Sequence, residues 1–387
     1  MFTGCSDGSS GSDDEQTTPS IPTYTVTFNP NSGIGSIASV TEVVGMQITL
    51  PANTLTKEGF EFGGWNTAKN MTGTSYDDGA VFTPESDLTL YAKWTVTADK
   101  VVDVIKNLEA GEHTFSVVGE INDSKLNNIG KAIRENTNGV EINLDLYGTT
   151  GLAVFSSYYF QRCSQLTGIV LPTGTTSIKT NSFSGDESLK SVVIPDGVES
   201  IGKSAFDGCT SLSEAVIPGS VKIIESRAFT ECALSEVVIP DSVTEIGTAA
   251  FRKSSISALK IGKGLTTIPN NTFQDNNLKK VTIPSNIESI GECAFDDNPV
   301  LAEVVLEEGV KTIKYRAFGG CNFTSITIPK SVTSIEYTAF GRGELTVHYN
   351  GTVEEWEALS ANIAAENLLN TTVHCSDGDY IPETSGE

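Results

Sequence analysis

The chain has 387 residues, which is enough for two or three domains, and 38% of them are hydrophobic, which is enough for a sizeable core. Its 25 basic and 49 acidic residues give a formal net charge of −24. This acidic balance argues against binding to nucleic acid, because phosphate recognition needs clustered Lys and Arg, and against a basic patch that would attach to anionic lipid. No stretch approaches the ~18 consecutive apolar residues of a membrane helix.

Residues 1–22 are predicted to be a flexible acidic tether, because Ser, Gly and Asp dominate them and there is little to bury. The segment Phe2-Thr3-Gly4-Cys5 is similar to the end of a bacterial lipobox, in which small residues precede an acylated cysteine. We therefore expect Cys5 to be the lipid attachment site, with its hydrophobic leader trimmed or the start of the chain misplaced. The alternative is a stray cysteine in an added leader.

Residues 23–96 have the pattern of a small β-rich domain. An alternating strand runs from Tyr24 to Phe28, glycines and aromatic residues mix over 59–66, and a second strand runs from Ser86 to Trp94. These three segments resemble the Listeria–Bacteroides repeat (internalin B-repeat). The resemblance implies a β-grasp-like spacer or contact domain of bacterial surfaces. Trp65 and Tyr91 are candidate glycan-stacking residues, although aromatic residues in so small a domain more often form its core.

Residues 97–165 are predicted to form an N-terminal cap and a degenerate first coil for the repeats that follow. Apolar spacing predicts helices over Ala98–Leu108 and Ser124–Arg134, with strands over His113–Ile121 and Val140–Leu146. A cap is needed because stacked repeats leave the apolar end of their first coil open.

Residues 166–345 contain one unit written eight times. Its leading apolar residue stands at positions 166, 189, 212, 234, 256, 278, 301 and 323, so the step is 22 or 23 residues. This period predicts a leucine-rich-repeat solenoid with a long parallel sheet, because a single unit cannot bury its apolar side alone. The pattern Leu-x-x-Val-x-Ile-Pro…Ala-Phe-x-x-Cys, as in Leu212 to Cys232, resembles the BspA-like leucine-rich repeat of bacterial surface proteins. The resemblance implies surface display and adhesion.

Two repeat positions are predicted to lie inside the coil. One is a stack of aromatic rings, made of Phe183, Phe206, Phe229, Phe251, Phe273, Phe295, Phe318 and Phe340. The other accepts either Cys or Asn, at Cys163, Cys209, Cys232, Asn276, Asn298 and Cys321, which indicates a buried turn that bonds to the backbone. We expect free thiols there, because this is not the paired framework of a small secreted scaffold, although Cys209 and Cys232 are spaced closely enough for a disulfide.

The outward face of the solenoid strands is the candidate ligand-binding surface. One outward column begins with Val170, Val193, Val216 and Val238. Lys260 continues this column on the next coil, and the neighbouring outward column supplies Ser191, Glu214, Glu236 and Lys280. Two explanations of the valine row stay open at this point: valine suits any strand, and contiguous exposed apolar surface marks contact with a partner.

Residues 346–387 are predicted to form a C-terminal cap and tail. Thr352 is placed to cap a helix from Val353 to about Leu369, and a polar tail follows.

No catalytic or metal-binding motif stands out, because the three histidines lack ligand spacing and no P-loop, Gly-x-Ser-x-Gly or His-Glu-x-x-His occurs. The overall prediction is a β-dominated, mixed α/β solenoid preceded by a small β-grasp-like domain. We expect a monomeric, non-enzymatic lipoprotein of the cell surface or outer membrane, without cofactors, metals or nucleic acid. It would bind a host or matrix protein, or another cell-surface protein, and touch the membrane only through its lipid. The alternatives are a glycan-binding protein that uses the N-terminal aromatic residues and a spacer without a ligand.

Overall fold

The computed structural model describes residues 22–341 and 343–382. Residues 22–97 of the described chain contain seven strands: β1 (Thr23–Asn29), β2 (Val40–Val43), β3 (Ile48–Thr49), β4 (Glu61–Asn66), β5 (Ser75–Tyr76), β6 (Val81–Phe82) and β7 (Leu88–Thr97). The cap that follows contains α1 (Val101–Lys106), β8 (Gly111–Glu120), α2 (Asp123–Glu135), β9 (Val140–Asp145) and β10 (Thr149–Thr150).

The solenoid alternates the strands of two ladders in chain order. They are β11 (Val154–Phe155), β12 (Leu166–Val170), β13 (Ser177–Ile178), β14 (Ser191–Val193), β15 (Ser200–Ile201), β16 (Glu214–Ala215), β17 (Ile223–Ile224), β18 (Glu236–Val238), β19 (Glu245–Ile246), β20 (Ala258–Lys260), β21 (Thr267–Ile268), β22 (Lys280–Ile283), β23 (Ser289–Ile290), β24 (Glu303–Leu306), β25 (Thr312–Ile313), β26 (Ser325–Ile328) and β27 (Ser334–Ile335). The chain ends in β28 (Thr346–Tyr349), α3 (Val353–Ser360), α4 (Glu366–Leu369), β29 (Val373–Cys375) and β30 (Gly378–Tyr380).

The N-terminal module, residues 23–96, is built on a mixed sheet in the order β2-β1-β7-β4-β5. Its central pair, β1 and β7, is parallel, and the other pairs are antiparallel. Tyr24, Trp65 and Trp94 are fully buried in its core, and the indole nitrogen of Trp94 donates a hydrogen bond to the carbonyl oxygen of Pro30 at 3.0 Å. The β-grasp-like classification of this module and its boundary after residue 96 stay predictions.

Strand β7 connects the module to the cap. Its C-terminal end pairs in parallel with β8, where Thr95 lies opposite Ser116 and Thr97 lies opposite Val118. The ladder continues through β9, β12 and β14 to β16, so the module, the cap and the first coils share one sheet of eleven strands.

The helices of the cap depart from expectation in one place. Helix α2 forms as predicted, with the Asn122 side chain accepting the Lys125 amide at its N-terminus. Helix α1 is shorter than predicted and begins at Val101, after Lys100. The reason is that the Ala98 amide donates to the Val118 carbonyl at 2.9 Å, which extends the pairing with β8 beyond the end of β7.

The predicted long parallel sheet is present in segments. Strand pairing stops between β16 and β18, between β20 and β22, and between β24 and β26. At each of these breaks a backbone bond still joins the coils, but it comes from the residue before the leading apolar position: Ala233 to Leu212, Asn277 to Ile256 and Asn322 to Leu301. At these breaks the backbone hydrogen bond between coils therefore lies in the turn before the strand, and the strands themselves are unpaired. A second parallel ladder, which the repeat pattern did not predict, runs along another side of the coil through β11-β13-β15-β17-β19 and β21-β23-β25-β27.

The predicted stack of phenylalanine rings is confirmed. From Phe183 to Phe340, successive rings have centroids 5.1–5.9 Å apart and planes within 18° of parallel. Phe155 and Phe160 continue the stack into the degenerate first coil, at 5.1 Å and 5.7 Å from Phe183.

The Cys-or-Asn position forms a ladder of buried donors. Each side chain donates to the carbonyl oxygen of the stacked phenylalanine in the preceding coil, over 2.5–3.3 Å; the donors are Cys209, Cys232, Ser254, Asn276, Asn298 and Cys321. Ser254 belongs to this set although the sequence pattern had included Cys and Asn alone. The described cysteines carry free thiols, and burial raises the pKa of Cys321 to about 12. The thiols therefore stay protonated at neutral pH and act as hydrogen-bond donors.

The C-terminal helix is interrupted where one continuous helix was predicted. Thr352 and Glu355 form the capping box at the start of α3. The helix stops at Ser360 because Ile363 bridges to Ile335 of the last coil and the Ala364 amide donates to the Ile335 carbonyl at 2.8 Å. The contacts that close the end of the solenoid therefore end the helix before it reaches its predicted length.

Candidate functional site

The outward valine column is shorter than its sequence pattern suggested. Val216 is 80% exposed and Val238 46% exposed, whereas Val193 is half-buried. Val170 was expected on this face but is only 6% exposed, so its assignment is wrong. It lies opposite Asp145 in the ladder, and that carboxylate is itself buried beside Lys93. The cap and the N-terminal module therefore cover this end of the column.

Three successive coils and one loop of the module form a groove of about 650 Å³ on this face. Its outward-facing residues are Ser191, Val193, Glu214, Val216, Glu236 and Val238, which are six of the nine residues predicted for the solenoid face. Thr72 of the module lines the same groove. The remaining lining is apolar except for Ser213 and Ser235, and its apolar residues include Ile194, Ala215, Ile217, Phe229 and Leu234. The groove, defined by these residues, is the candidate site.

Ala215 accounts for the depth of the groove. It occupies the inward position at which the adjacent coils carry Val192 and Val237. Those valines are buried, whereas Ala215 is half-exposed. The shorter side chain leaves the sheet thin at this point, so the groove reaches buried Phe229 of the aromatic stack.

The groove also lies on a break in the strand ladder. Strand β14 pairs with β16, and β18 pairs with β20, but within the described residues β16 and β18 are not paired. Away from the break, the Ile239 amide bonds to the Lys260 carbonyl of the next coil at 2.9 Å. In the part of the chain that the structure describes, Ile194 and Ile217 make no such bond to the following coil.

The loop that supplies Thr72 is held by Asn66, the last residue of β4. Its side-chain oxygen accepts the amides of Ala68 and Gly73, at 2.8 Å and 3.1 Å, and its side-chain nitrogen donates to the Gly73 carbonyl at 3.0 Å. The Thr72 hydroxyl in turn donates to the side-chain oxygen of Asn70 at 2.7 Å. A buried amide therefore braces the loop that faces the solenoid, and Thr72 has a defined place at the groove.

The groove carries two exposed carboxylates, those of Glu214 and Glu236, that are free to bind a cationic group. Across the described residues, the side chains of Glu214 and Glu236 make no hydrogen bond or ion pair. Elsewhere on the face, acidic residues are paired across neighbouring strands, as Glu303 is with Lys280 at 2.5 Å. Two unpaired like charges on adjacent coils repel each other and attract a cationic group.

A smaller cavity of about 240 Å³ adjoins the groove and shares Ser191 and Glu214 with it. Lys69 of the module pairs with Glu112 of the cap there, and this hydrogen bond lowers the pKa of Glu112. Burial lowers the pKa of His113, so this imidazole is neutral at pH 7. The cavity shows that the module and the cap meet beside the solenoid face.

The remaining predicted residues do not join the groove. Lys260 and Lys280 are exposed on later coils, outside its lining. Trp65 is buried against Phe28 and Phe62, with ring centroids 5.0 Å and 5.1 Å away, so its assignment as a glycan platform is wrong. The ring packs in the core because the small module has little other apolar volume to bury. Tyr91 is half-buried, and Cys5 lies outside the described residues.

Sequence reasoning missed Thr72 and Ala215. The alanine was visible in principle, because Leu212-Ser213-Glu214-Ala215 departs from the repeat pattern by one small residue. No signal marked Thr72, since its position depends on how the module folds back onto the solenoid. Among the described residues, no three His, Cys, Asp or Glu side chains converge as metal ligands. The described helices include none that is long and apolar enough to span a bilayer.

Residues 153–233 and 222–346 match the BspA type leucine rich repeat region, in six copies, and these ranges together span half of the chain. The chain belongs to the BspA-type leucine-rich repeat family. Residues 24–93 of this BspA-type protein match the Listeria-Bacteroides repeat domain, so both resemblances seen in the sequence are confirmed. Proteins of these families are bacterial cell-surface proteins, and their leucine-rich repeats generally serve protein interaction and are typically non-catalytic.

Individual relatives are similar over parts of the BspA-type chain. A "Putative Gly-rich membrane protein" of Evansella cellulosilytica is 34% identical over 86 residues, which is 21% of this chain and 10% of that protein. The crystal structure of a leucine-rich repeat protein from Bacteroides ovatus is 27% identical, with 51% of this chain and 52% of that chain covered and a TM-score of 0.48. That of a leucine rich cell surface protein from Faecalibacterium prausnitzii is 21% identical, with 86% and 98% covered and a TM-score of 0.36. This chain thus spans a tenth of the first relative and about half of the second.

Proposed function

We propose that this protein is a non-enzymatic cell-surface lipoprotein that binds a host, matrix or other cell-surface protein through the groove of the solenoid face. The observation that supports this most directly is the row of Val193, Val216 and Val238. Val216 is 80% exposed and Val238 46% exposed on adjacent coils, and contiguous exposed apolar surface of this kind is typical of a contact surface. The groove adds concave shape and unpaired carboxylates to that apolar row.

Surface attachment through Cys5 is part of this proposal. The lipobox-like residues before Cys5 and the acidic tether after it support an anchor that holds the solenoid away from the membrane. Mass spectrometry of the mature protein isolated from cells should find acyl chains on Cys5. A mature protein without them would remove the lipid anchor and leave the binding proposal standing.

Replacing Val193, Val216 and Val238 together with serine should abolish protein binding without unfolding the chain. The reason is that their side chains face the groove, while the inward residues of the same strands keep the core intact. Binding to a panel of immobilised extracellular matrix proteins is measured with the full chain, alongside a thermal unfolding curve.

The matched control is Val305→Ser, which alters an exposed valine of the same column outside the groove. Val305→Ser should bind as the parent does. Undiminished binding by the triple variant would exclude this face as the binding surface.

A further inference from the structure

We infer that the groove recognises an extended protein segment in which an apolar side chain is flanked by lysine or arginine. This deepens the proposed function and rests on it, because it names the chemistry that a protein ligand would bring to the same site. The apolar side chain would occupy the depression over Ala215, and the basic groups would meet Glu214 and Glu236.

The apolar half of this inference comes from the shape of the groove. Ala215 stands where the neighbouring coils carry valine, and the space that it leaves reaches Phe229 and Leu234. Val216 and Val238 border the same depression and are exposed. The walls of the depression are largely apolar, so their contact with water is unfavourable. A ligand methyl or isobutyl group that displaces this water is stabilised by burial of apolar surface.

The basic half comes from charge complementarity. Glu214 and Glu236 lie on adjacent coils, one on each side of the ladder break, and no described cation pairs with either of them. The protein as a whole carries a net charge of −24, so its field favours the approach of a positively charged partner. A basic group between the two carboxylates would also relieve their mutual repulsion.

The inference that the ligand binds in an extended conformation rests on the break between β16 and β18. Within the described residues, strands β16 and β18 are not paired, and the Ile217 amide makes no backbone bond to the following coil. The Ile194 amide also makes none in this part of the chain, because the pairing of β14 with β16 ends at Val192. A peptide lying across the face in extended form presents backbone carbonyls and amides at intervals to such a site. Thr72 closes the groove on the module side, so it limits the ligand to a narrow segment.

The test uses three synthetic fluorescent peptides of equal length with the full chain: basic–leucine–basic, acidic–leucine–acidic and basic–serine–basic. We expect saturable binding of the first alone, measured by fluorescence anisotropy, with an affinity that falls as salt rises. Ala215→Val fills the depression with the residue found in the adjacent coils, and should weaken binding about tenfold. Glu214→Gln combined with Glu236→Gln should weaken it by a similar factor and remove most of the salt dependence.

Two matched variants serve as controls. Ala258→Val adds the same two methyl groups on an exposed residue of another coil, and Glu303→Gln removes a carboxylate of the same column that is paired with Lys280. Both should bind the first peptide as the parent does. Equal binding of the three peptides, or insensitivity to Ala215→Val, would overturn the inference. If matrix-protein binding is nevertheless lost in the triple serine variant, the proposed function survives and only this ligand chemistry is wrong.

Discussion

Asp186 is a buried carboxyl group at a repeat position where the later coils carry hydrogen-bond donors. It occupies the donor-ladder position of its coil, where later coils place Asn276 and Asn298. Its Oδ1 accepts the Cys163 amide at 2.6 Å, just as the side-chain oxygen of Asn276 accepts the Ser254 amide at 3.0 Å. Its Oδ2 is buried and has no described partner that could donate to it.

The environment of Asp186 favours the neutral acid. Burial raises the pKa of Asp186 to about 8, although the Cys163 amide and the Arg134 guanidinium pull the pKa down. Every other member of the ladder from Cys209 to Cys321 is a donor, and a carboxyl group can donate only when it is protonated. We therefore expect Asp186 to be a carboxylic acid at neutral pH, with its hydroxyl in the place of an asparagine amide.

Asp186→Asn should stabilise the protein at neutral and mildly alkaline pH. Because the folded-state pKa is raised, the folded protein holds a proton that the unfolded chain releases, so the free energy of unfolding falls as pH rises from about 4 to about 8. Asparagine does not titrate, and its side-chain oxygen can still accept the Cys163 amide, so the variant should gain about 2 kcal/mol or more at pH 8 and little at pH 4. Chemical denaturation at both pH values measures this difference.

Asp196→Asn, at an exposed aspartate in the next turn, is the control for charge alone and should show a much smaller gain. A gain for Asp186→Asn that is the same at pH 4 and pH 8 would show that Asp186 is already ionised in the folded protein.

At the scale of the element, the aromatic stack is the feature that holds coil on coil. Phe229 is fully buried and lies between Phe206 and Phe251, at centroid distances of 5.1 Å and 5.3 Å. The stack and the donor ladder reinforce each other, because each donor bonds to the carbonyl oxygen of the preceding phenylalanine. Both depend on the alignment of adjacent coils. Because each coil contacts only its neighbours, a substitution in one coil disturbs the packing of the adjacent coils alone.

Phe229→Ala should cost about 3–5 kcal/mol of folding free energy, because it removes a buried ring and leaves a cavity between two others. Phe340→Ala is the matched control at the end of the stack, where one parallel neighbour, Phe318, remains, and its cost should be smaller. Thermal and denaturant unfolding measure both. A midpoint for Phe229→Ala equal to that of the parent would contradict the burial on which the stack depends.

At the scale of the whole molecule, the module and the solenoid are joined by a shared sheet and by a buried charge. Asp145 of β9 accepts the Ser116 hydroxyl at 2.6 Å and lies 3.6 Å from the Lys93 ammonium of β7. Strands of the module and the cap thus meet at one carboxylate, and β9, which carries it, pairs with β12 of the solenoid. This arrangement keeps the Thr72 loop over the solenoid face.

A fragment that begins at residue 98 should lose protection along β8. In the full chain the amides of Ser116–Val118 lie beside Thr95–Thr97 of β7, whereas the fragment exposes this edge to solvent. Hydrogen–deuterium exchange should therefore become faster for these residues in the fragment. Amides of β24, far along the solenoid, should exchange equally in both. Unchanged protection of β8 would show that its pairing with the module contributes little to its stability.

The sequence alone determined the solenoid, because the inward positions recur every 22 or 23 residues and each serves the same role in every coil. The stack of phenylalanines and the buried Cys-or-Asn position followed from that period. Burial in a repeat depends on local spacing and on an identical neighbour, and both are written in the chain.

Only the tertiary structure decided where the ladder breaks, which valines stay exposed and what faces them. Val170 is covered and Val216 is open because the N-terminal module folds over one end of the face, and no periodic signal describes a contact between unlike parts of a chain. The groove required three things at once: a small residue at 215, an unpaired strand beside it and the loop of Thr72 opposite. The first is legible in the sequence, whereas the other two arise from packing across long separations in the chain.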